Sequence, residues 1–239
     1  MMRNFRDPVI SIIFIMFLSI MILVTSCSNK KELDESPEYI NFKTGNVWIY
    51  SIEMKVGAEE PQEALEMLKV TGTEDVNGVP CYVLKTITQA QKGPKQYYHI
   101  DPESGLYLKM IGYYEYSMKH KSLEYKEQEI EPPKLILQFP LKVGKSWLKE
   151  VKRANLVMDT TFWVKEKEKV ITPAGEFEAL KIESHGTTPD GGKFTAYQWY
   201  AKGVGRVKEI MEIEEPPPGV KTTYTTILKK YREEKKTGE

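Results

Sequence analysis

The chain is short of cysteine, of histidine and of net charge. It has two cysteines and three histidines, and 34 Lys and Arg balance 34 Asp and Glu. Two cysteines cannot build a disulfide framework. Balanced charge offers no footprint for a polyanion, so nucleic acid is not expected as a partner. His99, His120 and His185 are widely separated, with no His-x-x-x-His pair and no Cys/His spacing, so no metal and no cofactor are implied. Ser184 precedes His185, but neighbours on a strand point to opposite faces and do not meet as a nucleophile and base. Gly203-x-Gly205 lacks the third glycine and the helix of a phosphate-cradling loop and reads as a turn. Nothing selects two acids from the many carboxylates; Lys165-Glu166-Lys167-Glu168-Lys169 reads as a solvated strand face. No catalytic residue is assigned, and the chain is expected not to be an enzyme.

Charge is also absent from Pro8 to Asn29, after a start that carries Arg3, Arg6 and Asp7. Val9 to Val24 is apolar apart from Ser11 and Ser19, the layout of an export signal. Its last residues, Val24-Thr25-Ser26-Cys27, resemble the lipobox of bacterial lipoproteins. That resemblance implies cleavage before Cys27, a diacylglyceryl thioether on its thiol and acylation of the new amine. The alternatives are an ordinary cleaved signal and a membrane helix, although sixteen apolar residues reach only about 24 Å of a ~30 Å hydrocarbon core. The expected location is the bacterial cell envelope, lipid-anchored. Ser28 after the cysteine leans toward the periplasmic side of the outer membrane in a Gram-negative host. With Cys27 acylated, Cys81 has no intramolecular partner and is expected to be a buried free thiol.

The expected organisation is a signal peptide over 1–26, the lipidated cysteine and a flexible tether over 27–38, a first β copy over 39–135, a second over 136–230, and a charged tail over 231–239. Loss of Arg3, Arg6 and Asp7 with the signal leaves 32 basic against 33 acidic side chains. The two copies rest on recurrences at nearly constant offset: Lys43, Gly45 and Trp48 with Lys142, Gly144 and Trp147; Leu84-Lys85 with Leu180-Lys181; and 99–107 with 199–207. Strand signals dominate both. Trp48, Tyr50, Ile52, Met54 and Val56 alternate with polar residues, and Thr195, Tyr197 and Trp199 alternate with Ala196 and Gln198. Asn77-Gly78 and Asp190-Gly191-Gly192 mark turns. Pro61 to Lys69 and Lys119 to Gln128 fit a helix or a strand equally. The fold class is therefore all-β with minor α: an antiparallel, strongly curved sheet, half-barrel or sandwich, built from two similar copies.

Three strings in the second copy carry a resemblance: Phe139-Pro140-Leu141-Lys142-Val143-Gly144-Lys145-Ser146-Trp147, then Val170 to Ile182, then Trp199 to Lys208. They resemble the TapB-like family of exported bacterial proteins. The resemblance implies a predominantly β fold and an envelope location, with no catalytic residues to carry over.

The function expected is a non-enzymatic envelope lipoprotein that binds an apolar small molecule or an envelope protein on its curved sheet. The candidate concave face comprises Trp48, Tyr50, Ile52, Trp147, Tyr197 and Trp199. The alternatives are a structural or assembly lipoprotein that works through sheet edges or through its tyrosine-rich surface (Tyr97, Tyr98, Tyr107, Tyr113, Tyr114, Tyr116), and a hydrolase of glycan or lipid.

Overall fold

Strand formers at short spacing, divided by Gly- and Pro-containing turns, give a chain that is nearly all strand. The computed structural model describes residues 36–88, 92–153, 156–188, 191–216 and 219–234. The export signal, Cys27 and most of the tether lie outside the described residues. Twelve strands follow one another: β1 (Val47–Val56), β2 (Gln62–Val76), β3 (Val79–Thr88), β4 (Lys92–Asp101), β5 (Gly105–Ser117), β6 (Ser122–Gln138), β7 (Ser146–Arg153), β8 (Leu156–Thr172), β9 (Gly175–Thr187), β10 (Lys193–Ala201), β11 (Gly205–Glu214) and β12 (Lys221–Arg232). No α-helix occurs among the described residues, so the minor α content expected reduces to one 3₁₀ turn, Ser36–Tyr39. Both segments that fitted either state go to the sheet, as β2 and the start of β6. Leu65, Met67 and Lys69 take the period of two rather than the helical one.

The strands form one antiparallel sheet in the order β6-β5-β4-β3-β2-β1-β12-β11-β10-β9-β8-β7. Two six-strand meanders therefore meet where β1 pairs with β12. Trp48 is the second residue of β1 and Trp147 the second of β7, while Gly105 and Gly205 head β5 and β11. Gly105 is required by close approach: a Cβ there would lie 2.1 Å from the Leu137 carbonyl oxygen. Between β2 and β3, Asn77 and Gly78 both take positive φ (52° and 79°), as a tight two-residue hairpin turn demands.

The sheet is curled until its two ends face each other. Leu106 and Leu137, from the β5–β6 end, pack in one cluster with Trp147, Val164, Leu180 and Ile182 from the β7–β9 end. Phe139 and Leu141, in the link between β6 and β7, join that cluster. Burial of Leu137, Leu180 and Ile182, each essentially inaccessible, contributes about 1.5–3 kcal/mol apiece. The curl is helped by register breaks, where one strand carries an extra residue: Lys229 in β12 against β1, Lys109 in β5 against β4 and Val207 in β11 against β10. The result is a nearly closed barrel whose edges, β6 and β7, share no ladder among the described residues. Lys149 on β7 stands beside Lys134 on β6. Burial, and then the Lys134 charge, push the Lys149 ammonium down to about 7. Two lysines crowded together across the seam oppose strand-to-strand pairing there.

One end of the barrel is filled by the chain itself. Tyr39, Ile40 and Phe42, which lie in no strand, turn into the interior against Leu106, Trp48 and Tyr98. Their backbone is tied down at both sides: Gly203 N–H donates to the Glu38 carbonyl (2.8 Å), and Asn41 Nδ2 donates to the Gly203 carbonyl and to the Tyr231 hydroxyl (2.7 Å). Asn46, fully buried, donates to the Asn41 carbonyl and to Tyr231 Oη, both at 3.0 Å.

Candidate functional site

Next to this plug the interior is not filled. A cavity of about 280 Å³ is bounded by Tyr39, Ile40, Phe42, Trp48, Tyr50, Glu66, Leu68, Leu84, Thr86, Gln96, Tyr98, Leu106, Ile136, Gln198, Tyr200, Gly205 and Arg206. That volume is at the lower end for a small-molecule pocket. The register explains why these side chains converge. Trp48 pairs with Leu68 and Tyr50 with Glu66 across β1–β2; Leu68 pairs with Thr86 across β2–β3; Leu84 pairs with Gln96 across β3–β4. Directly opposed residues share a face, so all of them point inward.

The polar side of the cavity depends on the extra residue in β11. Trp199 pairs with Lys208 but Tyr200 pairs with Arg206, which leaves Val207 unopposed. In a regular strand Arg206 and Glu209, three residues apart, would point to opposite faces. The bulge restores them to one face. Arg206 Nη1 donates to Glu209 Oε2 (2.6 Å), and Gln198 Nε2 donates to Glu209 Oε1 (2.5 Å). The Arg206 guanidinium lies 5.7 Å from the centre of the Tyr50 ring, and the Tyr50 hydroxyl donates to the Arg206 carbonyl (2.8 Å). Arg206 lies deep in the barrel, yet 26% of its side chain is accessible, because it opens onto the cavity.

Burial dominates the electrostatics here. It pushes the Tyr50 and Tyr98 hydroxyls up to about 12 each, with Arg206 pulling the other way, and raises Tyr200 further. It also raises the Glu66 carboxyl above its ordinary range; Arg206 opposes this and Glu209 adds to it. Tyr98 Oη donates to Gln96 Oε1 (3.1 Å). The Tyr200 hydroxyl has no hydrogen-bond partner among the described residues, although the residue is only 8% exposed and lines the cavity.

The six residues of the candidate concave face are divided by the structure. Trp48 and Tyr50 line the cavity, with the Trp48 indole N–H donating to the Val204 carbonyl (2.7 Å). Ile52 shares their face but lies beyond the lining. Trp147 belongs to the packed core, stacked on Phe162 (5.0 Å, 3° between planes). Tyr197 and Trp199 point to the opposite face from Gln198 and Tyr200, where Trp199 is buried in a cluster with Val207 and Leu228 and Tyr197 packs against it. Lys181 lies over both rings (5.5 and 5.7 Å), Lys208 over Trp199 (4.8 Å), and the Trp199 indole donates to Glu168.

Of the tyrosine-rich set only Tyr98 reaches the cavity. Tyr97 is buried on the other face and donates to Glu127 (2.6 Å), while Tyr114 and Tyr116 are exposed at the end of the β5–β6 hairpin. The histidines stay outside: His185 meets Glu183 (2.6 Å) on an exposed face, and Ser184 is buried on the face behind it. The inward residues that sequence reasoning missed are Glu66, Gln96, Gln198, Arg206 and Glu209. Their one available signal was charge and amide groups recurring opposite aromatic residues in otherwise β-rich strands.

No curated protein matches this chain. Three solved structures resemble it remotely. A protein of Parabacteroides distasonis, provisionally described as a lipoprotein, is 14% identical, with a TM-score of 0.43 over 81% of this chain and 98% of its own. A Bacteroides fragilis protein, provisionally described as exported and of YmcC-like fold, is also 14% identical, with a TM-score of 0.43 over 80% of this chain and 97% of its own. A Vibrio parahaemolyticus domain, provisionally assigned to an outer membrane lipoprotein-sorting protein, is 12% identical, with a TM-score of 0.30 over 88% of this chain and 95% of its own. From the middle of β5 to the middle of β11, residues 112–210, the chain is similar to the DUF3108-like family.

Proposed function

We propose that the chain is a non-enzymatic lipoprotein of the bacterial cell envelope whose barrel holds one small amphipathic molecule. The observation that carries this reading is the cavity itself. Phe42, Trp48, Leu84 and Leu106 give it an apolar side, and Gln96, Gln198 and Arg206 give it a polar one. A concave space with apolar walls and a few convergent polar groups is the form that small-molecule sites take. A binding role is favoured over catalysis because the cavity's one lining base among the described residues is held by a neighbouring carboxylate. Arg206, Glu209 and Gln198 form a closed set, and the histidines lie elsewhere.

The test is native mass spectrometry of protein extracted from the envelope without denaturation. The expected result is an adduct that disappears in organic solvent and that is lost in the variant Leu84→Trp, which fills the cavity. Identical spectra for the two proteins, together with failure of both to bind a small hydrophobic fluorophore, would overturn the reading.

Anchoring has its own check. Cys27→Ala is expected to abolish fatty-acid labelling and to move the protein from the membrane fraction to the soluble one. If membrane association survives the change, the apolar stretch before Cys27 is a membrane span and the lipoprotein reading fails.

A further inference from the structure

The charges in and around the cavity do not cancel. Glu66 and Arg206 line it together with the tyrosines, and Glu209 stands behind the lining, bonded to Arg206. Arg206 and Glu209 form one ion pair, and both Glu209 oxygens are occupied, one by Arg206 and the other by Gln198. Glu66 has no hydrogen-bond or ion-pair partner among the described residues. It stands directly across the ladder from Tyr50. One half-buried acid is therefore left over, in a site whose one lining base among the described residues is already engaged.

The surroundings of Glu66 are suited to a positive charge. Phe42, Trp48 and Tyr98 form a linked set of rings along this side, with Phe42 6.3 Å from Trp48 and 5.4 Å from Tyr98, and Tyr50 stands opposite Glu66. Aromatic faces attract cations, most strongly when both are desolvated. Tyr200 is more than nine-tenths buried, and its hydroxyl, without a partner among the described residues, lends an oxygen that can accept a hydrogen bond from an ammonium group. An anionic head group would instead meet the Glu66 carboxylate and a guanidinium already neutralised by Glu209.

We propose that the cavity takes an organic cation: a small amphiphile whose ammonium group lies between the Glu66 carboxylate, the Tyr200 hydroxyl and the aromatic rings, with its alkyl part against Leu84 and Leu106. This rests on the cavity reading given above and assigns the ligand class to it.

Glu66→Gln separates the ligand question from folding. The groups that face Glu66 are Tyr50 from β1, Tyr98 from β4 and Arg206 and Glu209 from β11. Because the folded protein raises the Glu66 pKa, the neutral carboxyl is the form the fold prefers. The stability this contributes is fully present below the unfolded carboxylate pKa and is lost as pH rises through the folded one. A permanently neutral glutamine escapes that loss, so Glu66→Gln is expected to melt at or above the wild-type temperature at pH 7.

The experiment compares hexylammonium, hexanol and hexanoate by calorimetric titration into the full chain. Hexylammonium is expected to bind at least about tenfold more tightly than hexanol in the wild type, and hexanoate more weakly than either. In Glu66→Gln the two former ligands should bind within about twofold of each other, with hexanol unchanged. Equal binding of hexylammonium and hexanol by the wild type, or a preference that survives Glu66→Gln, overturns the cation assignment and leaves the cavity reading standing. Absence of binding by all three ligands overturns both.

Discussion

Replacement of Arg206 by methionine is expected to lower the stability of the domain by about 3–5 kcal/mol, because it leaves a buried carboxylate without its cation. Glu209 would keep only the Gln198 amide, with the guanidinium gone from its other oxygen and from the face of the Tyr50 ring. For a domain of this size the loss corresponds to a fall of roughly 6–20 °C in the melting temperature. The double change Arg206→Met with Glu209→Gln removes both charges. Its expected stability is within about 1–2 kcal/mol of the wild type, since a buried pair replaced as a pair costs far less than a pair broken. Urea unfolding of the wild type, the two single variants and the double variant gives the coupling directly. If the double variant is as unstable as the sum of the singles, the two side chains do not act as a unit and the cavity's polar side is assembled some other way.

The same residues show where sequence reading fails on this fold. The alternation of β1 was legible, and Trp48 and Tyr50 face inward as an apolar face should. In β10 a simple in-or-out rule does not hold: Gln198 lines the cavity, while Trp199, on the other face, is buried in a cluster with Val207 and Leu228, beneath Lys208. Nothing in the pattern of Thr195 to Trp199 distinguishes a polar cavity from solvent. In β11 a strict period of two places Arg206 and Glu209 on opposite faces, and only the unopposed Val207 returns them to one. Bulges leave no reliable mark in a single sequence. Glu66 lay in a segment whose residues suit a helix or a strand equally, so its direction could not be read before its pairing with Tyr50 was known.

The turn-rich, all-strand character was legible for a local reason: Asn77-Gly78 and the glycines that head β5 and β11 occupy positions that other residues fill poorly. The closing of the sheet was not. It depends on contacts between Leu106 or Leu137 and Trp147, Leu180 or Ile182, residues tens of positions apart whose apolar character fits a flat sandwich as well as a curled barrel. The filling of one end was hidden too. Tyr39, Ile40 and Phe42 follow a polar tether and precede the first strand, so they read as a lead-in, and their three apolar side chains within four residues were the available signal.

That plug supplies the second large effect. Ile40→Ala is expected to cost about 2–4 kcal/mol, since Ile40 is only 6% exposed and the strands around it are held by their ladders and cannot collapse onto the space left. Removal of an equally apolar but exposed side chain, Leu65→Ala, is expected to change stability by less than about 0.5 kcal/mol. The location of the effect can be read separately from its size. Gly203 N–H is bonded to the Glu38 carbonyl within the plug, whereas the β9 amides are bonded within the sheet. If the plug opens as a local unit, Ile40→Ala raises hydrogen exchange at Gly203 far more than along β9, and ligand leaves the cavity faster while the barrel stays folded. Equal acceleration at both places would mean that the segment opens only with the whole barrel, and that ligand entry must use another route, such as the seam between β6 and β7 where Lys134 and Lys149 keep the two edges apart.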